Sequence, residues 1–494
     1  RSRRQRQMCI RDRYVVLNNA YSLRNEENCS FIVRKNLYLD PDMNNYRTIY
    51  PIPPFLGYIF SNIGKMDFSS SLSYMEKELK ISIKALQHFI LQIIEKPSKS
   101  LFFQGEEIVF PEKLLVYSNQ KDTTLFYTSI GFSPMKMYKH CRPQTPLMVN
   151  YMVTEKCNTN CIYCYAKRDT RIEMSTSEVI KIINDLSVSG VINLTITGGD
   201  IFAREDWYEI ISTSQKAGFS YLISTKTILG KEDIIKLKNL GIPRIQFSLD
   251  AISVDILQEM INVKRNYVEN LKVMFKQCTL YGIDISLRTV LCKQNTTIEE
   301  IEKLCSFVEY NPCIVCWTIT PAFYSENKKD YNRYSVDNDN LVKVLSYLRK
   351  RKIRIRPLFN KLSTDGYKLQ RASSVEKFVE TNQICYANTY SISILPSGDC
   401  TICEMLYYNR FFILGNIKEQ KLIDIWNSEK AIDLFLPKRE NITQESACST
   451  CLVFDKCKRQ LAKKICYVDV MKVYGLLDFP DPKCPQSPKC NYIL

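Results

Sequence analysis

From residue 147 onward the apolar positions switch repeatedly between two periods. Segments 147–154, 193–197, 221–225, 244–250, 284–291 and 314–320 are β-prone and alternating or apolar, which predicts strands. Segments 175–186, 206–217, 231–240, 254–280 and 297–310 instead repeat apolar residues at helical spacing. That alternation predicts βα units around a parallel sheet, an α/β fold. In barrel-like sheets of this kind, chemistry gathers at the C-terminal ends of the strands.

Upstream the pattern is shorter-ranged. Residues 14–17 and 30–38 predict strands, 50–54 a break, and Pro54 the start of a helix through Phe55, Ile59 and Phe60. Helices are expected at 70–79 and 82–96, the second with an apolar stripe of Ile83, Leu86, Phe89, Ile90 and Ile93. Short strands follow at 101–103, 107–110 and 114–117. Three helices and a small sheet predict a winged-helix-like domain over 14–140, with 140–146 as linker. Residues 145–335 hold the βα units. Residues 321–379 are polar, with one helix near 339–350, and 336–379 form a bridge to a cysteine-rich region at 380–494.

Composition narrows the class. The chain has 494 residues, 45% hydrophobic and 24% charged, room for two to four ordinary globular domains. No apolar run reaches the ~18 residues of a membrane span, and no hydrophobic region of a secretory signal follows the basic start. No membrane association is expected. Twenty cysteines in a chain this long suit metal binding in a reducing, cytoplasmic compartment better than disulfides. Net charge is +16, of which residues 1–13, with six Arg and one Asp, supply +5. That opening resembles translated cloning or adapter sequence and is given no functional weight. The dispersed remainder reads as solvation, and without an RNA-binding pattern no nucleic-acid partner is expected.

Chemistry concentrates first at Cys157-Asn-Thr-Asn-Cys161-Ile-Tyr-Cys164, just after the first strand of the βα region. Three thiolates within eight residues can converge on one soft metal centre. A closed zinc site needs four ligands, and the chain has only His88 and His140 to add. Cubane clusters are held by cysteine thiolates, so three leave one iron of a [4Fe–4S] cluster open.

This stretch resembles the radical S-adenosylmethionine (SAM) enzymes, in which the open iron binds the amino and carboxylate groups of SAM. Tyr163 before the third cysteine fits their pattern. The resemblance implies a partial (β/α)6 TIM-like barrel. Thr197-Gly198-Gly199-Asp200 after the second strand is similar to the family's Gly-Gly-Glu-Pro motif, which binds the SAM amino group. Asp200 stands in place of Glu, and Ile201 in place of Pro. By the same resemblance Ser224 and Lys226 reach the SAM carboxylate or ribose, Ser248 and Asp250 sit at the ribose-contacting strand end, and Arg265 is a carboxylate candidate. Cys313 and Cys316 are three apart on a strand, on opposite faces, and are not read as a chelate.

Nine cysteines fall in the last ~110 residues. Cys385-x12-Gly398-x4-Cys403, then Cys448-x2-Cys451-x5-Cys457, then Cys466 and Cys484, resemble the SPASM domain, which carries auxiliary [4Fe–4S] clusters. The resemblance implies one or two such clusters. Cys385, Cys403 and Cys466 would hold the nearer, and Cys448, Cys451, Cys457 and Cys484 the farther. Eight residues separate Cys457 from Cys466 where the family usually has three, which sets Cys466 apart from the pattern and makes Cys400 a candidate fourth ligand of the nearer cluster. An open iron there, able to bind a substrate thiolate, is another possibility. Cys490 is spare.

The resemblance therefore implies reductive cleavage of SAM to a 5′-deoxyadenosyl radical, and maturation of a ribosomally made precursor peptide by a thioether or other crosslink. An external donor such as flavodoxin or ferredoxin would supply electrons. The winged-helix-like domain would bind the leader as an added strand. Other readings are a sulfatase-maturing enzyme that oxidises Cys or Ser, and a non-enzymatic iron–sulfur or zinc scaffold.

Overall fold

The computed structural model describes residues 14–35, 47–95, 99–166, 173–325, 327–328, 330–360, 362–363, 365–367, 369–380, 385–406, 409–458 and 465–489. The basic opening and Cys490 lie outside them. The chain forms two compact units that divide after Leu147.

In the first unit, strands β1 (Tyr14–Leu17), β2 (Tyr21–Asn25), β3 (Ser30–Arg34) and β4 (Ile49–Ile52) precede helices α1 (Pro54–Asn62), α2 (Phe68–Leu79) and α3 (Ile83–Glu95). Then come β5 (Lys99–Phe103), β6 (Glu106–Phe110), β7 (Leu115–Ser118) and β8 (Tyr127–Thr128). One sheet has the order β4-β3-β2-β8, β5 pairs with β6 as a hairpin, and β1 pairs with β7. The three helices fall where periodicity placed them. β4 is a correction, because the expected break over 50–54 is in its first half a strand. Pro51 is tolerated because β4 is an edge strand, paired only to β3.

In the second unit β9 (Met148–Met152) opens a run of parallel strands with helices between them. α4 (Thr176–Val188), β10 (Asn193–Thr197), α5 (Trp207–Lys216), β11 (Ser220–Thr225), α6 (Lys231–Asn239) and β12 (Arg244–Ser248) follow. Next are α7 (Val254–Ile261), α8 (Tyr267–Tyr281), β13 (Asp284–Leu291), α9 (Ile298–Tyr310) and β14 (Ile314–Pro321). Each strand from β10 to β14 pairs in parallel with the one before it, and β9 does not pair with β14, so the barrel stays open.

Residues 254–280 are two helices, not one. Asn262 ends α7 in the left-handed conformation (φ 55°), which Asn tolerates better than most residues. The polar bridge supplies α10 (Asn338–Lys350) and β15 (Leu358–Phe359), which adds in parallel to β14, then α11 (Val375–Glu380). The cysteine-rich region is not a detached module. Its β16 (Ser391–Ile394) pairs in parallel with β9, and β17 (Asp399–Thr401) and β18 (Ile413–Asn416) extend the same ten-stranded sheet. Short helices α12 (Leu422–Trp426), α13 (Glu429–Phe435), α14 (Phe454–Lys458) and α15 (Tyr467–Tyr474) complete it. Among the described residues no helix is long and apolar enough to cross a membrane.

The strands have two unlike faces. In β13, Ile285, Leu287, Thr289 and Leu291 are buried while Ser286, Arg288 and Val290 are half-buried. The buried set packs under the helices, as Phe247 of β12 does against Phe275 of α8. The opposite, concave face is polar. Asn150 and Thr195 are register partners there, as are Ser224, Gln246, Ser286 and Cys316 in turn along adjacent strands.

Candidate metal and cofactor site

β9 delivers the chain into residues 153–164 at its C-terminal end. Cys161 is buried and Cys157 and Cys164 are half-buried. The Thr159 hydroxyl lies 3.3 Å from Cys157 Sγ and 3.7 Å from Cys161 Sγ. The loop is anchored by backbone bonds from Asn160 N to Ile261 O (2.8 Å) and from Ile162 N to Met260 O (2.9 Å), at the end of α7. Burial pushes the Cys161 thiol up to about 11, against the pull of nearby Lys226. Metal binding there must therefore release a proton.

Gly198 and Gly199 matter because of that loop. Gly198 has φ +142°, and a Cβ on it would lie 2.3 Å from Thr154 O. On Gly199 a Cβ would lie 1.9 Å from Lys156 O. Gly199 N and Asp200 N donate to Thr154 O and Lys156 O, both at 2.8 Å. The glycines thus let the turn after β10 lie flat on the root of the cysteine loop.

Asp200 is buried, and its Oδ2 accepts from Thr225 Oγ1 (2.7 Å), Thr227 Oγ1 (2.9 Å) and the amides of Lys226 (3.1 Å) and Thr227 (3.3 Å). Oδ1 accepts from Phe202 N at 3.1 Å. Burial raises its carboxyl despite these donors. In this geometry Asp200 ties the ends of β10 and β11 together.

Asp250, fully buried after β12, accepts from Tyr163 OH (2.5 Å), Lys226 Nζ (2.7 Å) and Val290 N (2.9 Å). Burial works against the Lys226 ammonium, but the charges at Asp250 and Cys161 outweigh it and hold its pKa above the ordinary lysine range. The ammonium stands 5.7 Å from the Tyr163 ring centroid. Tyr163, Lys226 and Asp250 therefore join the cysteine loop to three strand ends. Ser224 Oγ, on the concave face, accepts from Gln246 Nε2 at 2.7 Å, and Ser248 is half-buried at the end of β12. Arg265 lies exposed in the turn between α7 and α8 rather than in a helix.

Two groups carried no motif and escaped the sequence reading. Glu173 accepts from Thr154 Oγ1 (2.6 Å) and Glu155 N (2.7 Å). Arg204 donates to Val153 O (2.9 Å) and pairs with Asp206 (2.5 Å), bracing the loop root with a buried charge. On the concave face, Glu404 Oε2 accepts from Asn150 Nδ2 (2.8 Å) and Ser393 Oγ (3.1 Å), which places a carboxylate beside β9 and directly after Cys403.

The tail cysteines sort into two sets. Burial, Glu404, Cys385 and Cys466 all raise the Cys403 thiol, so Cys385, Cys403 and Cys466 are mutual neighbours. Cys448, Cys451, Cys457 and Cys484 line one small cavity with Phe378, Phe454 and Asp481. Burial raises Cys457 to about 12, the three neighbouring thiols adding to it. Cys400 joins neither set. It is fully buried in the core on β17, with Sγ 3.8 Å from Gly398 O. Cys316 meets Ser286 Oγ (3.0 Å) on the concave side and Cys313 meets Phe275 O (3.5 Å) on the helix side, so the two do face apart. Among the described residues no three His, Cys, Asp or Glu side chains are close enough to grip a single ion. A cubane is wider than an ion, and each thiolate binds a different iron, so all-cysteine sets of this kind fit clusters.

A model of the radical SAM superfamily matches residues 151–308, from β9 into α9. A model of an iron–sulfur cluster-binding domain, SPASM, matches residues 385–452. The chain carries a radical SAM domain and a SPASM domain. The first kind of domain binds a [4Fe–4S] cluster and SAM, and the second binds auxiliary iron–sulfur clusters.

Among curated proteins, Fe-coproporphyrin III synthase of Methanosarcina barkeri is 25% identical over 71% of this chain and 90% of its own length. PqqA peptide cyclase of Granulibacter bethesdensis is 21% identical over 70% of this chain and 88% of its own. Several other relatives match over less than half of their own length. Among solved structures, Streptococcus suis SuiB bound to its precursor peptide SuiA superposes with TM-score 0.63 at 16% identity, covering 95% of this chain and 100% of that one. At that identity the likeness is one of fold.

Proposed function

We propose that this protein is a radical SAM maturase that installs a thioether, or another crosslink, in a ribosomally made precursor peptide. The observation that carries the reading is the pairing of β16 with β9. It lays the strand that follows Cys385 beside the strand that leads into the Cys157/Cys161/Cys164 loop. The printed names of relatives support peptide substrates: a PqqA peptide cyclase, a mycofactocin maturase and SuiB with a bound precursor peptide.

In this reading Cys157, Cys161 and Cys164 are the ligands of the SAM-binding cluster. When bound, that cluster and SAM supply a 5′-deoxyadenosyl radical, which takes a hydrogen atom from an unactivated carbon. Gly198 and Gly199 hold the loop in place. Tyr163, Lys226, Asp200 and Asp250 fix the strand ends, and Ser224 and Ser248, with Arg265 from its turn, face the cofactor. Glu404 takes the proton that a substrate thiol gives up as sulfur joins carbon. An auxiliary cluster held by Cys385, Cys403 and Cys466 would supply the acceptor for the electron left over. The first unit, with its small sheet and α2–α3 pair followed by the β5–β6 hairpin, receives the leader as an added strand. Low-potential electrons come from a flavodoxin or ferredoxin in the reducing cytoplasm.

The test is anaerobic reconstitution with SAM, a reductant and a precursor peptide encoded beside the gene. Formation of 5′-deoxyadenosine with loss of two hydrogens from the peptide is expected. Absence of 5′-deoxyadenosine would remove the reading. A second reading, tetrapyrrole chemistry, rests on the match to the coproporphyrin enzyme over 90% of that protein's length. It would be favoured if the peptide stayed unchanged while an iron coproporphyrin was consumed.

A further inference from the structure

A cavity of about 470 Å³ lies in the cysteine-rich region, with no cysteine in its lining. That is the size of a small-molecule pocket. Its walls come from α13, the turn after it and the first residue of α15. Leu434, Ile442 and Leu477 give it an apolar lining, and the Phe411 and Tyr467 rings add aromatic surface. The Tyr467 hydroxyl is spent on Leu434 O at 3.0 Å.

Charge decides what such a cavity can hold. Three acids and three lysines line it, but they differ in depth. Glu429, Asp433, Lys430 and Lys438 are exposed, so water and salt screen them. Lys430 also donates to Ile413 O (2.7 Å) and Arg410 O (3.1 Å). Asp478 is half-buried, and its Oδ2 accepts from Thr443 N at 2.7 Å. Lys458 is only 3% exposed. It lines both this cavity and the four-cysteine cavity, whereas Asp478 lines this one alone. The Lys458 ammonium donates to Asp478 O, which puts its charged end on this side. That bond is 3.3 Å long, against about 2.7–2.9 Å for a good charge-assisted one. The deepest and least screened charge in the cavity is therefore positive.

We propose that this cavity binds a small carboxylic acid with an apolar or aromatic body. The carboxylate meets the Lys458 ammonium, and the body lies among Leu434, Leu477 and the two rings. An entering carboxylate exchanges a long bond to a carbonyl for a charge-assisted one. An amine of the same shape would meet a buried like charge. Lys458 follows Cys457 and Tyr467 follows Cys466, so the occupant would lie against the residue next to one cysteine of each tail set.

The experiment uses the full chain, with its clusters reconstituted anaerobically. Phenylbutyrate, the neutral phenylbutanol and the cationic phenylbutylamine are each titrated in by isothermal calorimetry. Wild type is expected to bind one phenylbutyrate per chain, about tenfold tighter than either of the others. Lys458→Met should remove that preference and Lys458→Arg should keep it. Phe411→Ala changes a side chain that is 51% exposed, so the fold should tolerate it. It should weaken the acid about fivefold. Iron content equal to wild type shows that a variant keeps this region folded, and if Lys458→Met loses iron the decision passes to Phe411→Ala. No binding of phenylbutyrate at millimolar concentration would overturn the site. So would binding of the alcohol or the amine as tight as that of the acid, or an affinity for the acid unchanged in the folded variants.

Discussion

The loop at Cys157 and the group around Cys466 use the same side chain in opposite ways. The loop gathers its three cysteines within eight residues at the end of one strand. Neighbouring segments brace it, through Gly198, Gly199, Glu173, Arg204 and Asp250. The tail group draws Cys385, Cys403 and Cys466 from segments far apart in the chain, and their convergence depends on β16 and β17 extending the sheet from β9. A local ligand set is written into spacing, whereas a dispersed one is written into topology. Damage to the first should act through the loop's supports, and damage to the second through its individual ligands.

The largest contrast is in SAM cleavage. Cys161→Ala is expected to abolish 5′-deoxyadenosine formation, while Cys451→Ala keeps it and loses the modified peptide. Chromatography of both products reads this directly, and equal loss in the two variants would erase the functional distinction between loop and tail.

A charge-support variant comes next. Arg204→Met leaves Asp206 partly buried without its cation and Glu173 with Lys156 alone, which should cost about 3 kcal/mol, measured by denaturant unfolding. Burial alone would raise the Asp206 carboxyl, but Arg204 and Thr176 outweigh it and hold it below its ordinary 3.8. A depressed carboxylate contributes stability above its unfolded pKa and loses it as pH falls through the folded one. The gap between wild type and Arg204→Met should therefore be full at neutral pH and close below about pH 4.

Gly199→Ala forces a Cβ to within 1.9 Å of Lys156 O. It should cost about 1–3 kcal/mol and lower iron loading of the loop without touching a ligand. Normal loading would mean that the glycine is not a support. The smallest effect belongs to Cys400→Ala. A buried thiol outside both tail groups should give up about 1 kcal/mol and no iron, whereas Cys466→Ala should lose iron from the nearer cluster.

Much of this was legible in the chain. The six parallel strands were readable because each carries its own period, as in the buried and half-buried alternation of β13. The loop and the Gly-Gly turn were readable because their partners are close in sequence or fall at strand ends. What escaped was long-range. Nothing local announces that 391–394 will pair with 148–151, or that Pro51 sits in an edge strand. The break at Asn262 hid inside apolar spacing that continues across it. Asp200 was expected to face a ligand because its neighbours match a motif. That Thr225, Lys226 and Thr227, some 25 residues away, also donate to its carboxylate is what no spacing announces. Arg204 and Glu173 act on backbone atoms, which leave no mark on a sequence pattern.

The most direct test of the account is the iron and labile sulfide content per chain after anaerobic reconstitution, for wild type and for the Cys157/Cys161/Cys164→Ala variant. Three cubanes predict about twelve irons falling to about eight. Zinc in place of iron, or no fall in the variant, would contradict a SAM-binding cluster at the loop.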